Sequence, residues 1–306
     1  MKIKWIVGGL LWASSYLQAA AQEYKLWYDE PAQVWTEALP LGNGRLGAMV
    51  FGNPGVEHIQ LNEETIWAGR PNNNANPDAL EYIPKVRRLV FEGKYLEAQT
   101  LATEKVMAKT NSGMPYQSFG DLHISFPGHT RYSDYYRELS LDSARTIVRY
   151  KVDGVTYQRE TLTSFADQVV MVRLTASQPG KITCNANLTT PHQDVMVATE
   201  GEEVTLSGVS SWHEGLKGKV EFQGRMGGGR DGVLSIEGAD EAVIYISIAT
   251  NFTNYKDITG NQVERAKNYL RRAVSKDYMT SRKAHVDFFK QYMDRVSLDL
   301  GIDKYA

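Results

Sequence analysis

Hydrophobic and polar residues alternate along most of the chain after Asp121. Leu122, Ile124 and Phe126 alternate with polar neighbours, and residues 147–152 repeat the period of two, which is typical of strands that bury one face. Further short segments of this kind are found at 169–174, 182–188, 195–199, 204–207, 219–223, 233–236 and 243–250. So many short strands with glycine-rich connections predict a mainly β fold, a large antiparallel β-sandwich of the super-sandwich type.

Two turns are predicted at specific residues. The pair Asp153-Gly154 separates two alternating segments, and this dipeptide is typical of a type I′ hairpin because both central positions need a positive φ. Earlier in the chain, an apolar run at 48–51 stops at the sequence GNPG, and a second alternating run follows at 56–61. This arrangement predicts a second hairpin with a polar end.

A helical insertion interrupts the strands between residues 78 and 106. Apolar residues recur there at helical spacing on either side of Gly93, which predicts two helices packed on the sandwich. We expect Asp78 to cap the first helix and Pro84 to occupy a first-turn position, where the missing N–H of proline costs nothing.

Two further helices are predicted near the end of the chain. Their apolar stripes comprise Val263, Ala266, Tyr269, Leu270 and Ala273, and then His285, Phe288, Phe289, Tyr292, Met293 and Val296. Such stripes need a partner surface. We expect Phe288, Phe289 and Tyr292 to be exposed when this chain stands alone.

Composition restricts the class of ligand. The chain has 306 residues, of which 42% are hydrophobic and 23% charged, and its formal net charge is −2. This balance favours neither nucleic acid nor an anionic membrane surface as a partner, and it suits a neutral ligand. Cys184 is the single cysteine, so it is predicted to be a small buried hydrophobic residue.

The first 21 residues are predicted to be a signal peptide. Lys2 and Lys4 precede an apolar run that ends in Ala19-Ala20-Ala21, which is the usual order of a basic segment, a hydrophobic segment and a small-residue cleavage site. We therefore expect a protein exported to the periplasm or the extracellular space, with no membrane span after removal of the signal; a retained N-terminal anchor is the alternative.

The richest candidate for ligand contact is the segment from residue 39 to residue 69. Three glycines surround Asn43 and Arg45, so the backbone can turn sharply and display both side chains. A second polar loop carries Asn62, Glu63 and Trp67. We predict that Asn43, Arg45, Asn62, Glu63 and Trp67 contact a sugar.

Two of these assignments leave alternatives open. An indole can cover the apolar face of a sugar ring, but a tryptophan at this position can equally seal a domain interface. Glu63 and Glu64 are adjacent and should point to opposite faces, which makes them a poor acid–base pair for hydrolysis.

Several motifs together resemble one enzyme family. They are LPLGNGRLGAMVFG, IQLNEETIWAG, YQSFGDLHISF, the long run from Tyr135 to Leu174, and HVDFFKQYMDRVSLDLG. In this order they resemble the N-terminal domain of glycoside hydrolase family 95, a family of α-L-fucosidases. The resemblance covers nearly the whole chain after the signal peptide.

The resemblance implies an inverting hydrolase of terminal α-L-fucosyl linkages on oligosaccharides or polysaccharides, with α-L-galactosyl linkages as the related alternative. It implies a β-sandwich at 22–258, a helical linker at 259–306, and an (α/α)6 barrel that carries the catalytic residues. No segment resembles the barrel, so no catalytic residue is assigned, and we expect this piece alone to be inactive. The resemblance implies no cofactor, and the scattered histidines predict no metal site.

Two other functions are compatible with the residues. The chain could be a free-standing carbohydrate-binding or scaffold module that kept the sandwich without a barrel. Alternatively the sandwich itself could be a different enzyme, such as a lyase or epimerase, although no arrangement of residues in the sequence supports one.

Overall fold

The computed structural model describes residues 24–108, 113–227 and 232–298, and it describes 229–230 by backbone alone. Within these residues the protein is mainly β, with two antiparallel sheets packed face to face, which confirms the predicted fold class. The predicted signal peptide and residues 299–306 of the predicted linker lie outside the described residues.

The strands follow one another with short connections. In chain order they are β1 (Lys25–Tyr28), β2 (Leu39–Gly42), β3 (Leu46–Val50), β4 (Val56–Glu63), β5 (Gly120–Ser125), β6 (Ser133–Ser140), β7 (Arg145–Val152), β8 (Val155–Thr163), β9 (Val170–Ala176), β10 (Ile182–Thr189), β11 (Val195–Glu200), β12 (Glu203–Val209), β13 (Glu221–Gly227), β14 (Gly229–Arg230), β15 (Val233–Ala239) and β16 (Glu241–Thr250).

These strands form a nine-stranded sheet and a seven-stranded sheet. The nine-stranded sheet has the order β1-β6-β7-β8-β9-β16-β13-β12-β11, and the seven-stranded sheet has the order β14-β15-β10-β5-β4-β3-β2. The inner faces bury one continuous apolar core, in which Phe119 and Phe222 meet edge to face at 5.6 Å between ring centroids. Cys184 is buried in this core, as predicted.

Both predicted hairpins are confirmed. Val152 pairs with Val155 across the β7–β8 turn, where Asp153 has a φ of 49° and Gly154 a φ of 77°. The earlier hairpin joins β3 to β4 in antiparallel register. The two-residue turn at Asp153-Gly154 therefore sets the register in which β7 pairs with β8.

The helical insertion forms a pair, but not in the predicted manner. α1 (Ala79–Phe91) and α2 (Tyr95–Lys105) are separated at Gly93, as expected. Pro84 lies in the interior of α1 and not in its first turn, and the Asp78 side chain makes no capping hydrogen bond. Pro84 lies five residues after Ala79, where α1 begins. Asp78 does occupy the N-cap position, but its backbone has αR angles (φ −82°, ψ −13°) and not the extended ones that are usual for a side-chain cap.

The apolar side chains of this pair are divided between exposed and half-buried positions. Leu80, Phe91, Tyr95 and Leu96 are 69–83% exposed, and Ala98 is the buried residue within the two helices. Val86, Leu89 and Leu101 are half-buried, so α1 and α2 expose only part of their apolar surface.

The last two helices, α3 (Gln262–Val274) and α4 (Tyr278–Met293), pack on the nine-stranded sheet. α3 buries Ala266, Leu270 and Ala273 of its predicted stripe. Asn261 caps it by accepting a hydrogen bond from the backbone N–H of Glu264 at 3.0 Å, as polar residues at this position commonly do.

α4 is held to the sandwich chiefly through its first half. The Tyr278 hydroxyl donates to Glu160 at 2.7 Å, and the buried His285 stacks on Phe165 at 5.2 Å. Toward the end of the helix Phe288 is 39% and Tyr292 is 54% exposed. The predicted exposure of these two is confirmed, whereas Phe289 is half-buried and stacks on Phe165.

Candidate functional site

The candidate site begins at the β2–β3 turn. The side-chain oxygen of Asn43 accepts hydrogen bonds from the backbone N–H groups of Arg45 at 3.0 Å and Leu46 at 2.7 Å. Gly44 between them has a φ of 89°, a conformation that glycine adopts without strain. The Asn43 amide nitrogen donates to the carbonyl of Ser164 at 2.8 Å, so this side chain fastens the turn to the opposite sheet.

Arg45 extends from this turn across the end of the sandwich. Its Nε donates to the Gln168 side chain and its Nη2 to the Gln168 carbonyl, both at 2.8 Å. Its Nη1 donates to the carbonyl of Ile248 at 2.6 Å. The guanidinium also lies 4.5 Å from the ring centre of Tyr269, so one cation joins both sheets and α3.

Glu63 is the acidic partner of Arg45. Its Oε1 lies 3.4 Å from Arg45 Nη1, and its Oε2 accepts from the backbone N–H of Thr65 at 2.8 Å and from the Thr65 hydroxyl at 2.6 Å. Burial raises the pKa of Glu63 above the ordinary glutamate value, while the hydrogen bonds from Thr65 and the charge of Arg45 oppose this rise.

The structure separates Glu63 from its two neighbours in the sequence. Along β4 the exposure alternates, so the half-buried Asn62 lies on the outer face of the sheet and the buried Glu63 on the inner side. Glu64 follows in the turn and is exposed. The two adjacent carboxylates therefore lie in different environments.

Trp67 lies on an aromatic edge beside this region. It is 44% exposed, its Nε1 donates to the carbonyl of Glu64 at 2.9 Å, and Tyr116 meets it edge on at 5.3 Å. The loop that carries Trp67 is tied to the β12–β13 connection, because the Gly69 N–H donates to the carbonyl of Ser211 at 3.0 Å. The neighbouring Trp212 is 66% exposed.

A groove of ≈ 390 Å³ opens where these elements meet α3. Arg45, Glu63, Glu64 and Thr65 form one side of it, and the other side comprises Ala249, Thr250, Phe252, Thr253, Arg265 and Tyr269. Its volume lies within the roughly 300–1,000 Å³ that is usual for small-molecule sites. Two cations, two carboxylates, three threonine hydroxyls and a tyrosine ring suit a neutral, polyhydroxylated ligand such as a sugar.

Of the five predicted residues, the structure places Arg45 and Glu63 in the groove. Asn43 supports it from the turn behind Arg45, whereas Asn62 faces the outside of the sheet and Trp67 is not among the groove-lining residues. All five remain predicted ligand contacts.

Sequence reasoning missed Arg265 and placed Tyr269 only in an apolar stripe. Arg265 donates to the carbonyls of Thr250 at 2.9 Å and Phe252 at 2.6 Å, so it holds the end of β16 against α3. Its position on the polar side of α3 gave no signal in the sequence, because its partners become neighbours only when α3 docks.

Among the described residues, no helix is long and apolar enough to cross a bilayer.

Comparisons with known proteins agree with the fold and with the sequence motifs. The family model described as "Glycosyl hydrolase family 65, N-terminal domain" matches residues 26–255. Alpha-L-fucosidase 2 of Arabidopsis thaliana is 30% identical over 93% of this chain and 37% of its own length. A probable alpha-fucosidase A of Aspergillus oryzae is 28% identical over 53% of this chain and 23% of its own length.

A solved structure with a similar fold is a putative kojibiose phosphorylase from the human microbiome. It has a TM-score of 0.50 and 13% identity, and the similarity covers 88% of this chain and 38% of that one. At this identity it supports the fold alone. The chain thus spans 37% of the length of the Arabidopsis relative and 23% of the length of the Aspergillus relative.

The predicted resemblance to the N-terminal domain of a fucosidase family is confirmed, and the chain belongs to the glycosyl hydrolase family 65 N-terminal domain family, with fucosidases among its relatives.

Proposed function

We propose that this chain is the non-catalytic N-terminal part of an exported α-L-fucosidase that hydrolyses terminal α-L-fucosyl linkages with inversion. The observation that carries the proposal is the similarity to the Arabidopsis fucosidase along 93% of this chain. The catalytic carboxylates would then belong to an (α/α)6 barrel, and this chain would support the barrel and contribute one wall of its cleft.

The groove is consistent with this role. The carboxylate of Glu63 is buried and hydrogen-bonded to Thr65, with Arg45 beside it. An inverting glycosidase needs two carboxyl groups roughly 6.5–9.5 Å apart on opposite sides of the sugar. Glu63 at the end of β4 and Glu64 in the turn that follows are adjacent in the chain, and Glu63 is already hydrogen-bonded within the protein, so they do not supply such a pair. The groove is therefore better suited to binding than to hydrolysis.

Exposed apolar residues support a further domain as the partner. On α4 and just after it, Tyr292, Met293 and Val296 are 47–81% exposed, and α1 and α2 expose apolar residues as well. Surfaces of this kind in soluble proteins usually mark contacts with another domain or protein. A barrel that follows α4 would lie next to the first of these surfaces.

The supporting role can be tested with a barrel expressed separately from a fucosidase relative. Size-exclusion chromatography of a mixture should yield a one-to-one complex, and the barrel should melt at a higher temperature in it. Two independent elution peaks and an unchanged melting temperature would contradict the role. Export is tested separately, by locating the full-length product in cell fractions.

The alternative of a free-standing carbohydrate-binding module rests on the exposed aromatic residues Trp67, Tyr116 and Trp212. Titration of the isolated chain with a 2'-fucosylated oligosaccharide distinguishes the two. A module should bind the glycan on its own, whereas a supporting wall should bind it measurably only together with the barrel.

A further inference from the structure

A cluster of potential metal ligands lies on the outer face of the seven-stranded sheet. His58 of β4 and His123 of β5 are opposite each other in the antiparallel register. Asp121 precedes His123 by two residues and therefore lies on the same face. All three are half-buried, and this face is turned away from the core between the sheets.

The donor atoms of the three side chains already converge. His58 Nε2 lies 2.7 Å from Asp121 Oδ1, and the two imidazole rings are stacked 5.0 Å apart with an interplanar angle of 17°. One ligand atom from each residue lies within 4.8 Å of the others. Donors around a tetrahedral ion with bonds of about 2.0–2.1 Å are about 3.3 Å apart. Small side-chain rotations would close the remaining distance.

The positions are held by a rigid frame. β4 and β5 are interior strands of the seven-stranded sheet, each paired on both sides. The His58 ring is further fixed by Phe51, which stacks on it at 4.3 Å. Within the part of the chain that the structure describes, no hydrogen bond occupies the His123 ring. Because the strands are rigid and the His58 ring is already held by Phe51, the side chains lose little conformational freedom when an ion binds.

We propose that His58, Asp121 and His123 form a binding site for a divalent transition-metal ion, for which Zn²⁺ is the best match. Two imidazoles and one carboxylate are ligands that zinc accepts, whereas calcium and magnesium prefer oxygen donors alone. Three protein ligands leave a coordination position for water. This site lies outside the groove and does not depend on the proposed fucosidase role.

Isothermal titration of the tag-free, chelator-treated full chain with ZnCl₂ at pH 7.5 tests the proposal. We expect one Zn²⁺ per chain and no heat from CaCl₂. His58→Phe keeps an aromatic ring against Phe51 but removes a ligand, and His123→Ala removes the opposite one. Each should weaken Zn²⁺ binding at least about tenfold.

His213→Ala is the matched control, because the His213 side chain is 30% exposed and that of His58 is 32% exposed. This variant should bind Zn²⁺ as the unaltered chain does. Melting curves without metal verify that each variant is folded, and Asp121→Asn replaces any variant that is not. The visible spectrum of bound Co²⁺ gives a second measure of the ligand set. Absence of Zn²⁺ binding, or equal binding by the His123→Ala and unaltered chains, would overturn the site.

Discussion

Replacement of Arg45 by methionine removes the cation that joins both sheets to α3. Arg45 makes hydrogen bonds to Gln168 and Ile248, an ion pair with Glu63 and a contact with the Tyr269 ring. Methionine keeps most of the side-chain length but supplies neither the charge nor the donors. The change leaves Glu63, which is 3% exposed, without its charged partner.

The expected loss follows from these contacts. Removal of one member of a buried ion pair costs roughly 3–5 kcal/mol, because the other charge stays buried. The Arg45 side chain is 17% exposed, and Glu63 keeps its two hydrogen bonds from Thr65, so we expect the lower end, about 3 kcal/mol. For a domain of this size that loss lowers the melting temperature by roughly 6–12 °C.

Differential scanning calorimetry at pH 7.5 measures this loss. The matched control is Arg271→Met on α3, since Arg271 is exposed and, within the described part of the chain, its side chain donates only to Asn268 on the same helix at 2.9 Å. The control should cost less than about 0.5 kcal/mol. Equal melting temperatures for the two variants would refute the idea that Arg45 holds the two sheets and α3 together.

The pH dependence of the Arg45→Met variant gives an independent check. Burial already raises the pKa of folded Glu63 above its ordinary value of 4.5, and loss of Arg45 should raise the pKa further. For such a group, stability is highest while the carboxyl is protonated and falls as the pH rises through the folded pKa. The stability deficit of the variant should therefore be smaller at pH 5 than at pH 7.5, and a deficit that does not change with pH would contradict this reasoning.

Three further outcomes are expected. A methyl group on Gly224 would lie 2.3 Å from the Phe119 ring, and one on Gly227 would have no neighbour within 4 Å among the residues that the structure describes. Gly224→Ala should therefore cost about 1–3 kcal/mol in urea unfolding and Gly227→Ala much less; equal costs would be inconsistent with this packing. Burial raises the pKa of Cys184 to about 11, so iodoacetamide at pH 8 should label it only after unfolding, as mass spectrometry can show. In a complete enzyme, Trp67→Ala should raise KM about fivefold, a loss of ~1 kcal/mol of sugar contact, and unchanged kinetics and stability would argue against contact with sugar.

Local patterns in the sequence were sufficient to predict most of the fold. The Asp153-Gly154 turn predicted a hairpin that the structure contains, because both residues supply the positive φ that the turn needs. The apolar stripe of α3 likewise identified the face that is buried. Pro84 was misplaced because α1 begins at Ala79, five residues earlier, and a sequence pattern locates the ends of a helix less well than the helix itself.

Contacts between distant segments could not be predicted from the sequence. Arg45 reaches the carbonyl of Ile248, 203 residues further along the chain, and no local pattern links the two. His58 and His123 become neighbours only through the register of β4 and β5, so their separation in the sequence gave no sign of a common site. Polar side chains on an exposed face carry little information about their partners until the strand order is known.

Release of fucose from a 2'-fucosylated oligosaccharide tests the central claim most directly. The samples are the chain without residues 1–21, a separately expressed barrel of a fucosidase relative, and the two mixed. We expect no release by the chain alone, and faster release by the mixture than by the barrel alone. Release of fucose by the chain without a barrel would contradict its assignment as a non-catalytic supporting part.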